Sequence, residues 1–187
     1  LGINPAEQAA ASSLDFIKAV VAQRNYKSEE EIAQIEETVN VSVDMHCAAM
    51  RAVRPGTTEA EIVAVVQAEA QKHNFNLSFP VIATVNGQTL HNHDHSNILE
   101  AGRLMLTDAG AESITNYCSD HTRTIPVGGK FTNRQKDIYS IVLACHDHAL
   151  ELARPGITYR SVHLDVCKVL AQGLKDLGLM KGNVDEA

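Results

Sequence analysis

Tryptophan is absent and aromatic residues make up only 4% of the chain, so its 44% hydrophobic content is mostly aliphatic. Positive charge is also short: 16 Lys and Arg stand against 23 Asp and Glu, a formal charge of −7. That balance lacks the electropositive footprint that phosphate binding needs, which argues against nucleic acid as a partner. No apolar run approaches the ~18 residues needed to cross a bilayer, so no membrane partner is expected. The opening LGINPAEQAA has neither the basic n-region nor the apolar h-region of a secretory leader, and it has no initiator Met. A soluble, processed or excised segment is therefore expected. Cys47, Cys118, Cys145 and Cys167 show no CxxC spacing; they read as reduced, partly buried thiols, which fits a cytoplasmic setting. Gly128-Gly129-Lys130 lacks the Walker spacing of a phosphate-binding loop and reads as a turn.

What is present suits one globular domain, since 187 residues is close to the ~150 expected per domain. Residues 1–27 are mixed and weakly periodic, and are expected to be a connector or the tail of a preceding domain. Residues 28–187 form the domain proper. Ser28-Glu29-Glu30-Glu31 has the S/T-x-x-E form in which the Ser side chain caps a backbone N–H and the Glu reaches back to the cap. A helix should start there, with Ile32, Ile35, Val39, Val43, His46, Met50 and Val53 as its apolar stripe, ending at Arg54-Pro55-Gly56. Thr58-x-x-Glu61 opens a second helix, marked by Ile62, Val66 and Ala70 and running to about His73. Phe75 to Val85, Arg103 to Asp108 and Tyr117 to Val127 read as strands of a central antiparallel block, with a turn at Asn86-Gly87. Thr132-x-x-Gln135 opens a third helix through Ile138, Ile141, Val142, Cys145, Ala149 and Leu152. A fourth follows through Val162, Val166, Val169, Leu170, Leu174 and Leu177.

The third helix also stops at an Arg-Pro-Gly, residues 154–156, 100 residues after the first. The match extends outward, pairing His46 with His146, Ala49 with Ala149, Thr58 with Thr158, Ile62 with Val162 and Val66 with Val166. Helix-turn-helix units ending in Pro-Gly are common, but the shared offset points to an internal repeat. The first copy runs on into strands, and the counterpart of Asp108 would fall near position 208.

Two carboxylates stand out. Asp108 in LTDAGAE and Asp120 in SDHTRT lie in otherwise apolar or β-forming segments. A hairpin centred near Ile114 would place them opposite each other, with Cβ atoms ~4.5–5.5 Å apart. Carboxylates that close repel unless a proton or cation lies between them. A divalent metal, with oxygen donors favouring hard ions such as Mn or Mg, is one solution. Turn capping, or pairing with Arg103 and Arg123, is the other. LHNHDHSN (residues 90–97) adds His91, His93 and His95 at alternate positions. It nearly spells the HxHxDH element of metallo-β-lactamase-like hydrolases but lacks one residue of it, and a solvated polar loop accounts for His93 and His95.

Taken together, LHNHDHSN, LTDAGAE, SDHTRTIPVGGKFTNRQKDIYSIVL, ARPGITYRSVH and GLKDLGLMKG closely resemble the aminopeptidase P (Xaa-Pro aminopeptidase) branch of the pita-bread metallopeptidases, which also includes prolidase and methionine aminopeptidase. The resemblance runs from about Ser28 to the end. It implies an α+β, creatinase/aminopeptidase-like fold of two similar halves, with an antiparallel sheet flanked by helices. It further implies two divalent metal ions, often manganese, with a bridging hydroxide that cleaves the bond between an N-terminal residue and a following proline. By the same resemblance Asp108 chelates one metal, Asp120 bridges both, and His91 is a non-ligand catalytic His that contacts the substrate. The partner implied is a peptide with proline at its second position, and relatives are often homodimers. The remaining ligands of the family, one His and two Glu, come from the second half, so the chain is expected to be a fragment covering the first part of the catalytic domain and to be inactive alone. An Xaa-Pro dipeptidase and a non-catalytic pita-bread module that binds peptides or proteins remain the alternatives. The interval from Asp108 to Asp120 is one residue longer than the family pattern, and His121 replaces a usual Ile.

Overall fold

The computed structural model describes Asn4, Glu7, Gln8 and residues 11–186, so the expected connector 1–27 lies partly outside the described residues. Within it, helix α1 (Leu14–Arg24) starts where the Ser13 hydroxyl accepts the Phe16 N–H. The chain divides into two compact units, one of residues 1–99 and 105–124, the other of residues 100–104 and 125–187.

In the first unit α1 is followed by α2 (Glu29–Ala52), whose start is the capping box read from the sequence: Ser28 Oγ accepts the Glu31 N–H while Glu31 Oε2 accepts the Ser28 N–H. The other Glu31 oxygen accepts the Tyr117 hydroxyl at 2.9 Å, and beside it Thr115 donates to Gln34 Oε1 at 2.6 Å. The expected apolar stripe is rotated by one residue. Ile32, Val43 and Met50 are exposed, and the buried face is Thr38, Val41, Ser42, Met45, His46, Ala48 and Ala49. Hydropathy favoured the wrong face because Thr38 and Ser42 satisfy their own hydroxyls, donating to Ile35 O and Val39 O three residues back. Once paired, a small hydroxyl residue is buried at little cost and lets the helix approach the sheet closely.

The Pro55-Gly56 turn, with Gly56 at φ 90°, leads into α3 (Glu59–Lys72), capped reciprocally by Thr58 and Glu61. Ile62, Val66 and Ala70 are buried, as their spacing predicts. The expected strand Phe75–Val85 is instead two: β1 (Asn76–Leu77) and β2 (Ile82–Thr84). Pro80 lies between them, and a residue without an N–H cannot continue a ladder. β1 pairs antiparallel with β4 (Ala111–Glu112). β2 pairs antiparallel with β3 (Leu104–Ala109), and β5 (His121–Pro126) flanks the other side of β3 in the order β2-β3-β5.

The hairpin tip between β4 and β5 centres on Thr115 rather than Ile114. Glu112 bridges Cys118, Ser119 N–H donates to Ala111 O, and Ser113 N–H donates to Tyr117 O. Asn116 closes the turn at φ 63°, a left-handed conformation that Asn tolerates better than most residues.

In the second unit α4 (Asn133–Leu152) and α5 (Tyr159–Asp176) form a helical hairpin. Thr132 and Gln135 cap α4 reciprocally, and Thr158 caps α5. Gly156 repeats the φ 90° of Gly56. The two helices approach closely: a Cβ on Gly173 would meet Ile141 Cγ2 at 2.7 Å. Val162, Val166, Val169 and Leu174 are half-buried as expected, whereas Val142, Leu170 and Leu177 are exposed. The sequence repeat therefore recurs as geometry, but not as environment: His46 is buried and His146 is exposed. All four cysteines are free, and Cys118 and Cys167 are exposed rather than partly buried. No helix among the described residues is long and apolar enough to cross a membrane.

Candidate metal centre

Strand β3 alternates along LMLTDA. Met105, Thr107 and Ala109 are buried on one face, while Leu104, Leu106 and Asp108 lie half-buried on the other. Asp108 stands opposite Ile82 of β2. On the other side of β3, Asp120 immediately precedes β5 and is exposed. Asp120 and Thr122 are the polar side chains that act on the Asp108 carboxyl from this side of β3. Burial pushes the Asp108 carboxyl above the usual carboxylate range. The neighbouring Asp120 pushes the same way, while Thr122 and His46 oppose it. Its Oδ1 is buried with no hydrogen-bond partner. Two converging carboxylates, one with an orphaned oxygen, fit a hard divalent cation on chemistry alone.

The two Asp-bearing segments are held in register by a very close approach. A Cβ on Gly110 would lie 1.8 Å from Ser119 O and 2.5 Å from Ser78 Oγ, so only glycine fits. Ser78 donates its hydroxyl to Ser119 O at 2.6 Å. Ser119 Oγ accepts the Ala111 N–H and donates to Thr38 O of α2 at 2.9 Å. The residue before Asp120 is thus tied to a strand, a loop and a helix at once.

Behind the sheet lies a polar layer that sequence reasoning missed. His46 of α2 sits 3.3 Å from Ala109 O through Nε2. A carbonyl only accepts, so Nε2 carries the proton; Nδ1 is left buried without a partner. His121 Nδ1 lies 2.6 Å from Ser42 Oγ. Because that hydroxyl donates to Val39 O, His121 donates to it. The two imidazoles meet edge to face, 6.2 Å between centroids. Burial holds both below the ordinary His range. For His121 the Arg123 charge adds to that and Asp120 opposes it. The available signal was the i, i+4 placement of Ser42 and His46, which the hydropathy stripe concealed.

His91 is exposed, at φ 50°, on the loop that leaves β2. Its neighbour Asn92 donates to Thr84 Oγ1 at the end of β2, at 3.4 Å. His93 is exposed, and His95 is half-buried with Nδ1 3.3 Å from Ala83 O. The structure therefore brings Asp108 and Asp120 together and places His91 on an adjoining loop. Glu59, which the sequence reading passed over, is fully buried beneath that loop.

Residues 33–184 match metallopeptidase family M24. The chain belongs to this family. Among its M24 relatives, the Xaa-Pro aminopeptidase of Escherichia coli (strain K12) is 36% identical over 183 residues, covering 95% of this chain and 41% of the relative. The Xaa-Pro aminopeptidase of Haemophilus influenzae is 34% identical over 177 residues, covering 92% and 40%. An E. coli aminopeptidase P variant solved with substrate superimposes with a TM-score of 0.82 at 37% identity, covering 86% of this chain and 37% of that one. Proline aminopeptidase P II from Yersinia pestis gives the same TM-score at 36% identity and the same coverage. The M24 chain described here thus has the expected α+β, pita-bread architecture, and it spans about two-fifths of the length of these relatives.

Proposed function

We propose that the protein is a proline-directed metallo-aminopeptidase, removing an N-terminal residue that precedes proline. The observation that carries this reading is the buried, unpartnered Oδ1 of Asp108 converging with the Asp120 carboxyl, in an M24 chain whose relatives are Xaa-Pro aminopeptidases. Asp108 would chelate one divalent ion and Asp120 would bridge two, with manganese the favoured metal. When bound, such a pair activates water at neutral pH and offsets charge developing on the scissile carbonyl.

The chain's own residues supply the positioning. Gly110 and Ser119 fix the separation of the carboxylates, and the Ser42–His121 and His46–Ala109 contacts brace the strands from behind. His91 would contact the substrate and steady the tetrahedral intermediate. Two carboxylates are too few donors for two ions. Among the described residues no group of three or more His, Cys, Asp and Glu side chains converges on a metal position. The activity is accordingly assigned to the whole protein, with further donors in the part of the relatives' length that the chain does not span. The free thiols are compatible with the cytoplasmic setting that is part of this reading.

The test uses the whole protein, manganese and a peptide with proline second. Asp108→Asn and Asp120→Asn should each weaken metal binding by more than about 100-fold and abolish turnover. His91→Ala should lower turnover with metal content retained. Full metal occupancy in either Asp variant would overturn the ligand assignment, and equal loss of metal and turnover in His91→Ala would make His91 a ligand.

A further inference from the structure

The loop carrying His91 is closed by a single buried side chain. Glu59, the first residue of α3, has no solvent exposure. Its Oε1 accepts the Val85 N–H at 2.7 Å. Its Oε2 accepts the Asn97 side-chain amide at 2.9 Å and the Asn97 N–H at 3.3 Å. One carboxylate thus grips both arms of the loop 85–97, and His91 lies six residues from each grip. The backbone of α3 adds to the hold. Glu59 N–H donates to Asn97 O at 3.0 Å and Ala60 N–H donates to His95 O at 3.1 Å. These are first-turn donors with no partner inside a helix, so the loop carbonyls satisfy them. Three N–H donors thus converge on one side chain at the start of α3.

Inside the loop, side chain-to-backbone turns set the path near His91. Asp94 N–H donates to Asn92 Oδ1 and Ser96 N–H donates to Asp94 Oδ1. Between these fixed arms His91 adopts a left-handed φ of 50°.

From this geometry we infer that Glu59 is a positioning residue, holding the His91 loop closed so that the imidazole is presented from a fixed backbone in the role proposed for it. The inference rests on the proposed role of His91 and names what keeps it in place. Glu59 touches neither substrate nor metal in this account; it acts through the loop alone.

Glu59→Gln keeps the shape but must turn an amide NH2 toward a backbone N–H, breaking one grip. In the whole, metal-loaded protein it should lower turnover by about 10- to 100-fold, the scale of a small misplacement of a reacting group. Metal content should stay unchanged, and amide exchange should quicken across residues 86–96. Asn97→Ala, which removes one side-chain donor, should give a weaker form of the same pattern, and it carries the test if Glu59→Gln does not fold. The deciding measurement is the double variant. If Glu59 works through His91, Glu59→Gln added to His91→Ala should cost no further turnover. Multiplying losses, or unchanged loop exchange, would overturn the inference. If His91→Ala alone leaves turnover intact, the reading of His91 fails and takes the positioning role with it, while the exchange data still report whether Glu59 clamps the loop.

Discussion

Asp108 and Asp120 could be singled out because carboxylates embedded in β-forming sequence require a reason, and in the structure Asp120 is one of the groups acting on the Asp108 carboxyl. Glu59 was not legible, because its partners are main-chain N–H groups and an amide 26 and 38 residues away, which leave no mark in a local pattern. His46 was legible as a member of an apolar stripe and as the repeat partner of His146, neither of which pointed to a role. Its burial has a consequence in solution: desolvation holds its folded pKa below the ordinary 6.5, so the unfolded chain takes up the proton first. The neutral ring contributes its full stability above pH 6.5, and that contribution is lost as pH falls from there toward the lower folded value. Denaturation midpoints of the metal-free chain should therefore drop between pH 7.5 and 5, with a slope on the order of 1 kcal/mol per pH unit at most. His46→Gln, which keeps a donor for Ala109 O, should flatten that slope. An unchanged slope in the variant would assign the effect to other groups.

The capping boxes at Ser28, Thr58 and Thr132 fell where the sequence placed them, because each is closed by side chains three residues apart and needs no tertiary partner. The face of α2 and the turn of the β4–β5 hairpin did not, and the reasons are equally local. Self-satisfied hydroxyls at Thr38 and Ser42 mimic apolar residues, and a left-handed Asn116 shifts the turn centre by one residue. Between the two Asp residues the hairpin depends on Gly110. Gly110→Ala would force its Cβ into Ser119 O, where the clearance is 1.8 Å, so strands must part. The expected outcome is a loss of several kcal/mol, about 3 or more, the upper range for single substitutions. In the whole protein metal affinity should fall with it, since Ser119 carries Asp120. Calorimetric unfolding and a metal titration check both; wild-type metal affinity in a folded Gly110→Ala variant would show that the close approach does not set the carboxylate spacing.

At the scale of the whole chain, the 100-residue repeat was readable from two Arg-Pro-Gly turns, and the structure gives each copy a helical hairpin with a glycine at φ 90°. With Asp108 and Asp120 as its converging donors, the 187-residue chain should bind manganese in the weak, roughly millimolar range and leave a proline-containing peptide uncut. A tight calorimetric isotherm or robust hydrolysis by the chain alone would send the search for ligands back to His93, His95 and the helix-borne imidazoles. One contact bears on how the first unit comes apart. Glu31 closes the first turn of α2 with one carboxylate oxygen and holds Tyr117, 86 residues on, with the other. Helix ends ordinarily fray independently of the rest of a fold. Here the opening of that end also releases a hold on the tip of the β4–β5 hairpin, because Glu31 belongs to both. The two motions are thereby coupled, so a protease that cuts inside the first turn of α2 would gain access more readily once the hairpin tip has let go.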